Sequence, residues 1–316
     1  MSEKMLLNSL WYANVVIALI ASPLLFGIIN KVKAFFAGRK GPRVLQLYYD
    51  IFKLMRKSSV YSTSAGWVFR MAPWGVVSCT ILMLLFLPAA CIASPVAFAG
   101  DMILFVYLAG FGRMLTVLAA METASAFEGM GASRECQFSM LAEGVIFTVL
   151  TALVMLTRNF TVSGSLTALH PEGWYSGGTA LLLLAVAFYI VMLCENCRVP
   201  IDDPETHLEL TMIHEAMILD NSGPDLAAIH YGAALKLWAF LSFLAALLLP
   251  NLSLGTAWEL VIFYALILFF AISIGVVESI MARCRFLKVP QLLAAAFAVA
   301  VLAVVLVAIF GGRWTR

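Results

Sequence analysis

Nine carboxylate and imidazole side chains crowd the stretch between Pro200 and Asp225: Asp202, Asp203, Glu205, His207, Glu209, His214, Glu215, Asp220 and Asp225. Hydrocarbon offers no water to solvate charge, so such groups beside apolar segments mark a proton path or a subunit contact. An acidic connector wetted by the cytoplasm is the plain alternative. Asp203-Pro204-Glu205 has the form of a helix start, with an Asp cap, Pro in the first turn and acid near the positive end of the dipole. At 100° per residue His207, Thr211 and His214 share one face within roughly 60°, flanked by Glu215. Two imidazoles seven residues apart are separated by about 10.5 Å along the axis, too far to share one metal comfortably. A proton relay or a pH-sensitive contact is the expectation. Glu205 and Glu209 lie one turn apart on another face, where mutual repulsion raises proton affinity.

More charges lie within apolar sequence. Glu143 sits about two turns inside a span, where it must face protein or water; a proton-path role competes with a structural hydrogen bond to a neighbouring helix. Ser133 has the form of that helix's cap, with Arg134 and Glu135 in the first turn. Arg113, about two turns before Glu122, is a candidate partner for it. Glu195, Lys236 and Glu278 complete the ionisable set near span ends, while Glu259 at the opposite end reads as interfacial and silent.

These side chains need a scaffold, and composition defines it. The 316 residues are 63% hydrophobic and 12% charged, with a mean hydropathy of +0.97, which describes a polytopic membrane protein and leaves no separate soluble domain. Eight stretches can cross ~30 Å of hydrocarbon: Leu6–Ile29, Trp67–Ile92, Met102–Ala120, Phe138–Leu156, Gly177–Cys194, Ala227–Leu249, Ala257–Val277 and Pro290–Phe310. They are too long and too uniformly apolar for barrel strands, so the fold class is an all-α bundle of about eight transmembrane helices. The whole chain, 1–316, forms one membrane domain, with loops at 31–66, 121–137 and 195–226. Fourteen Lys and Arg residues fall on the side of these loops against four on the other. That side is expected to be cytoplasmic in a multi-pass inner-membrane protein, with both termini outside. The first span is read as retained, since it exceeds a usual signal-peptide core and lacks a convincing cleavage site.

The loop at 31–66 holds a Gly-Pro turn and a short amphipathic helix, with Val44, Leu45, Tyr48, Ile51, Phe52 and Leu54 at helical spacing and Asp50, Lys53, Arg56 and Lys57 at polar positions. Such a helix suits the membrane surface or anionic lipid. The six cysteines are scattered, and only Cys194-x-x-Cys197 has metal or redox spacing. One pair falls short of the four or so ligands that iron–sulfur clusters and structural zinc require, so it reads as packing, with no metal or cofactor bound by this chain. No phosphate loop, dinucleotide fingerprint or nucleophile elbow is present, and no nucleic-acid partner is expected. The absence of a fixed-period or inverted repeat lowers a stand-alone transporter reading.

The loops are nonetheless familiar. Arg39-Lys-Gly41-Pro42, Leu45-Gln46-x-x-x-Asp50-x-x-Lys53-Leu, Gly131-Ala-Ser-Arg134-Glu135, Glu195 followed by Arg198-x-Pro200-x-Asp202, Glu205-x-x-x-Glu209-Leu, Ser222-Gly223 and Glu278-x-x-x-Ala-Arg283 occur in this order. With them the chain resembles subunit 1 of the respiratory complex I superfamily, and more closely the corresponding membrane subunit of formate hydrogenlyase and hydrogenase-4 type complexes. The resemblance covers essentially the whole chain. It implies a membrane subunit, not catalytic by itself, docked beneath a nickel–iron hydrogenase-like large subunit and an iron–sulfur small subunit, beside antiporter-like membrane subunits. Iron–sulfur clusters and any nickel–iron centre would belong to those partners. It implies proton-coupling roles for Glu143, Glu195, Asp202, Glu205 and Glu209, to which the residue reading adds His207, His214 and Glu215. Arg39, Gly41, Pro42, Gln46, Asp50, Lys53, Arg134, Glu135, Arg198, Glu278 and Arg283 would shape the docking surface.

Only Arg43 and Val44 intervene between the Gly-Pro turn and Leu45-Gln46, as in the hydrogenase-related group and unlike the longer insert of quinone-using relatives. His207 stands where the family generally has a carboxylate, Asp203 where it has an apolar residue and Ile201 where it often has Phe. Three alternatives stay open: the quinone-chamber subunit of a complex I proper, an independent proton-linked transporter, and a purely structural anchor.

Overall fold

The computed structural model describes residues 2–63, 65–202, 213–251 and 255–310. In chain order its helices are α1 (Ser2–Phe36), α2 (Gln46–Met55), α3 (Trp67–Phe86), α4 (Asp101–Glu122), α5 (Ala126–Thr157), α6 (Val162–Thr167), α7 (Pro171–Glu195), α8 (His214–Met217), α9 (Gly223–Leu248), α10 (Thr256–Ile280) and α11 (Val289–Phe310), the last entered through a short 3₁₀ turn at Phe286–Lys288. Among the described residues the only β pairing is an isolated bridge between Ala89 and Ile92. Eight helices, all but α2, α6 and α8, are long and apolar enough to cross a membrane, the number that hydropathy requires. The helix start expected at Asp203-Pro204-Glu205, together with His207, Glu209 and Thr211, lies outside the described residues.

Helix α9 is the axle of the bundle. It packs against α1, α2, α3, α7 and α10, and its apolar positions from Ala227 to Leu247 are largely buried. Phe240 and Phe243 on α9 stack with Phe188 of α7 and Phe105 of α4, the closest pair of ring centroids lying 4.4 Å apart. Such offset ring contacts add about 0.5–1.5 kcal/mol each to the area they bury.

Pro23 interrupts α1 and cannot donate to the carbonyl of Leu19, a group that hydrocarbon would leave unsatisfied. The Tyr231 hydroxyl of α9 donates to that carbonyl at 2.9 Å, and Tyr48 of α2 donates to the adjacent carbonyl of Ile20. The chain therefore turns back after α1, and α2 lies alongside it.

Two local expectations are corrected. The segment 121–137 is not a loop: α4 ends at Glu122, α5 begins at Ala126 after Ser125, and Ser133 lies inside α5, its hydroxyl bonded to the Met130 carbonyl. The added turns of α5 are too polar for hydropathy to register, yet they pack against α8. The six apolar positions from Val44 to Leu54, two of them ahead of α2, do not form the single amphipathic stripe that their spacing suggests. Leu45 and Phe52 are exposed with Tyr49 and Met55, whereas Tyr48, Ile51 and Leu54 turn towards the protein. The helix carries a second apolar stripe, suited to lipid.

Close approach of the turn to α1 depends on Gly27, where an added Cβ would run into the Val44 backbone carbonyl. Gly27→Ala should therefore lower stability by about 1–3 kcal/mol through overpacking, read as a lower thermal midpoint in detergent. An unchanged midpoint would show that the turn does not rest on α1.

Candidate functional site

At the end of the bundle that carries the basic loops, α4, α5, α7 and α9 bring five charged side chains together. Glu195, the last residue of α7, is 2% exposed. One of its oxygens lies 2.8 Å from Arg113 Nη2 of α4 and the other 3.0 Å from Lys236 Nζ of α9. The same Arg113 nitrogen lies 3.2 Å from Glu143 Oε1, and Arg113 Nη1 lies 3.9 Å from Glu135 Oε1, both on α5. Gly110 makes room for this, since a Cβ there would stand 2.7 Å from Glu143 Oε1. Glu143 keeps 35% of its side chain exposed while Glu195 keeps none, so the network runs from a sealed interior to the bundle's flank.

Beside it lies a cavity of about 110 Å³, bordered by Arg113, Glu135, Glu195, Arg198, His214 and Lys236. A volume on the order of ten cubic ångströms per water centre suffices for occupancy, so the space is large enough for water at its charged groups, although most of its wall is apolar. Phe26, Met83, Leu108 and Ile229 supply apolar wall.

Two further ion-pair groups adjoin. Glu278, in the last turn of α10, accepts a hydrogen bond from Arg198 Nη1 at Oε1 and forms an ion pair with Lys33 Nζ of α1 through Oε2, each at 3.3 Å. The Arg198 guanidinium also sits 4.2 Å from the Phe26 ring centroid, a cation–π contact that offsets desolvation. Asp202 accepts from Arg283 at 2.7 Å and from the His214 backbone N–H at 3.1 Å, which ties α8 to the turn before α10's successor. Arg134 stacks on Phe286, its guanidinium 4.4 Å from the ring centroid.

Several residues singled out from sequence thus meet: Glu143, Glu195, Asp202, His214, Glu215, Glu135, Arg198, Glu278 and Arg283 all lie in or beside this charged end. Arg39, Gly41 and Pro42 lie on the outer surface along a groove that reaches Glu278, whereas Gln46, Asp50 and Lys53 lie apart on α2, where Gln46 donates to Asp50 at 3.0 Å. Glu205, His207 and Glu209 are outside the described residues.

The expected Arg113–Glu122 pair does not form. Glu122 instead accepts the Phe69 N–H at 2.6 Å, satisfying the open first turn of α3. Glu259 is 2% exposed and lies beside Cys91, so it is buried within the protein and not on its surface. Sequence reasoning passed over Glu128, which is 1% exposed, accepts from Thr123 and from the Asp220 N–H, and pins α5 to the turn after α8. Its spacing carries no distinctive signal, whereas a basic residue in mid-span, as at Arg113 and Lys236, does.

Burial pushes the Cys197 thiol well above its ordinary value, which keeps it protonated and unreactive. Burial also pushes His214 from 6.5 down to about 4, with repulsion from Lys236 and His230 adding to it.

A polytopic all-α bundle that buries a charge network beneath a basic face has the architecture of the membrane subunits of respiratory oxidoreductase complexes. The chain belongs to the NADH dehydrogenase family, whose sequence model it matches over residues 9–309. It is 32% identical to hydrogenase-4 component C of Escherichia coli K12 over 302 residues, covering 92% of this chain and 93% of that protein. It is 30% identical to formate hydrogenlyase subunit 4 of the same organism, covering 90% and 93%. A solved chain of the membrane-bound sulfane sulfur reductase, an archaeal respiratory membrane complex, superposes with a TM-score of 0.78 at 21% identity, covering 93% of this chain and 97% of that one. That likeness carries the fold. The chain is a complex I-like membrane subunit, as the loop motifs suggested.

Two outcomes test the site. Arg113→Met leaves three carboxylates around a missing cation and should cost about 3–5 kcal/mol, seen as loss of folded protein in detergent; retention of wild-type stability would contradict the pairing. His214 makes its own contribution. Its folded value of about 4 lies below the unfolded 6.5, so the unfolded chain binds the extra proton between them. Its contribution is whole above pH 6.5 and is lost as pH falls towards about 4. His214→Gln should flatten the dependence of thermal midpoint on pH in that window; an unchanged slope would show that the imidazole is not buried.

Proposed function

We propose that this chain is the membrane-anchoring and proton-coupling subunit of an energy-converting hydrogenase-type complex. Its basic face, turned to the cytoplasm, docks a hydrogenase-like large subunit and an iron–sulfur small subunit, and antiporter-like subunits adjoin it in the membrane. The observation that carries the reading is the buried network on the cavity beneath that face. Among the described residues, three carboxylates, Glu135, Glu143 and Glu195, share two cations, Arg113 and Lys236. A cluster with one acid in excess is sensitive to any charge placed near it, and a proton is the smallest charge that can balance it.

Electron or proton occupancy in the docked module changes the field at the cavity wall, and the network responds by shifting a proton among its carboxylates. Glu143 opens on the flank of α5, where lipid alone would leave a carboxylate poorly solvated. A neighbouring membrane subunit covering that flank would receive the proton or its field. The chain itself supplies no reacting group; redox chemistry belongs to the partners, as do their iron–sulfur clusters and any nickel–iron centre.

Glu143→Gln and Glu195→Gln test this in the assembled complex. Each should lower proton translocation about tenfold or more while subunit composition is retained. Proton movement at the wild-type rate in assembled variants would leave the chain a structural anchor.

A further inference from the structure

Glu278 stands between two spaces. On one side a surface groove of about 500 Å³ runs along the ends of α1 and α10, bordered by Asn30, Lys33, Arg39, Pro42, Glu278 and Ser279. On the other is the internal cavity, of which Arg198 forms a wall. The carboxylate divides its oxygens between them: Oε2 is held by Lys33, which borders the groove, and Oε1 by Arg198, which borders the cavity. The Glu278 side chain is fully covered while that of Lys33 is 20% exposed, so the lysine closes the groove over the acid. Lysine has a flexible stem and a single point of charge, and it moves aside more readily than a planar arginine fork.

We propose that this groove is where protons reach the internal network, and that Glu278 is the group that carries them across. The inference rests on the coupling role proposed above. A proton from water held between the groove and the docked module adds to Oε2 of Glu278 as the Lys33 ammonium swings away. The neutral acid then rotates about its Cγ–Cδ bond, turning the protonated oxygen to the Arg198 side, and gives that same proton to water at the cavity wall beside Arg198, which passes it to the carboxylate cluster as the Glu278 carboxylate re-forms. One proton enters and one leaves, with no electron transferred.

The charges support the direction. Glu278 alone faces two cations, Lys33 and Arg198, whereas the Arg113–Lys236 cluster has an acid in excess. Arg198 Nε and Nη2 are buried without a hydrogen-bond partner among the described residues. Neutralising Glu278 leaves the Arg198 charge uncompensated at the cavity wall, where it draws on the excess carboxylate opposite. Proton arrival at the surface is thereby felt by the network before the proton itself gets there.

The test uses the purified complex in vesicles with the basic face outward. In Glu278→Gln, proton movement should fall about tenfold or more with subunit composition unchanged. Ser279→Cys, on the groove rim, should be active until a methanethiosulfonate reagent is added on the basic side, and should then lose proton movement while the wild-type complex is unaffected. A purely structural Glu278 would not make the groove sensitive to such a plug. If Glu278→Gln fails to assemble, the labelled Ser279→Cys complex decides, because it assembles before the block: lost movement supports the proposal and retained movement overturns it. An assembled Glu278→Gln complex moving protons at the wild-type rate also overturns it. When Glu195→Gln abolishes movement and Glu278→Gln does not, only the uptake route falls. When both move protons normally, the coupling role falls with it.

Discussion

The structure depends on how the carboxylate of Glu195 is kept charged inside a membrane bundle. An ion of this size loses several kcal/mol on leaving water, even after the protein relaxes, and survives only where counter-charges meet it at hydrogen-bond distance. Arg113 from α4 and Lys236 from α9 approach its two oxygens at 2.8 and 3.0 Å. That requirement fixes where α7 must end relative to the middle of α9, and it draws in Glu143 and Glu135 because one arginine can serve several acids. A hydrophobic replacement of the same shape would often be as stable. Three acids on two bases is therefore a costly arrangement with a use, and responsiveness to added charge is the use it has.

The rest of the bundle supports this point. The stacked rings of Phe105, Phe188, Phe240 and Phe243 lie on the same three helices that supply Arg113, Glu195 and Lys236. Apolar packing thus holds the charged residues in register. Pro23 shows the same economy of partners, since Tyr231 of the central helix satisfies the carbonyl that the proline leaves open. Away from the network, Glu122 accepts from the first turn of α3 and Glu128 from the turn after α8, which occupies both carboxylates with backbone donors.

Much of the fold was legible in the sequence, because crossing hydrocarbon demands long apolar runs that nothing else in the chain imitates. The first three turns of α5 were not, since their polar residues lie where hydropathy has no purchase and their helix is held by α8 and Glu128. The site was half legible. Arg113 and Lys236 announced themselves as charges within spans, but pairing across helices leaves no trace in sequence spacing, so the nearest acid, Glu122, stood in for the true partners. The split faces of α2 escaped for a related reason: an apolar stripe looks the same whether it meets protein or lipid. Glu135 and Arg198, read as docking residues from the family motifs, border the cavity itself.

The central claim is that a carboxylate of this network changes its protonation when the docked redox module turns over. Redox-triggered infrared difference spectroscopy of the assembled complex reads this directly in the carboxylic-acid C=O stretch. The account predicts a carboxyl band that appears or vanishes with the redox change, shifts when all glutamates carry carbon-13, and is lost in Glu195→Gln. A difference spectrum without any glutamate carboxyl band, recorded on a complex that pumps normally, would contradict it.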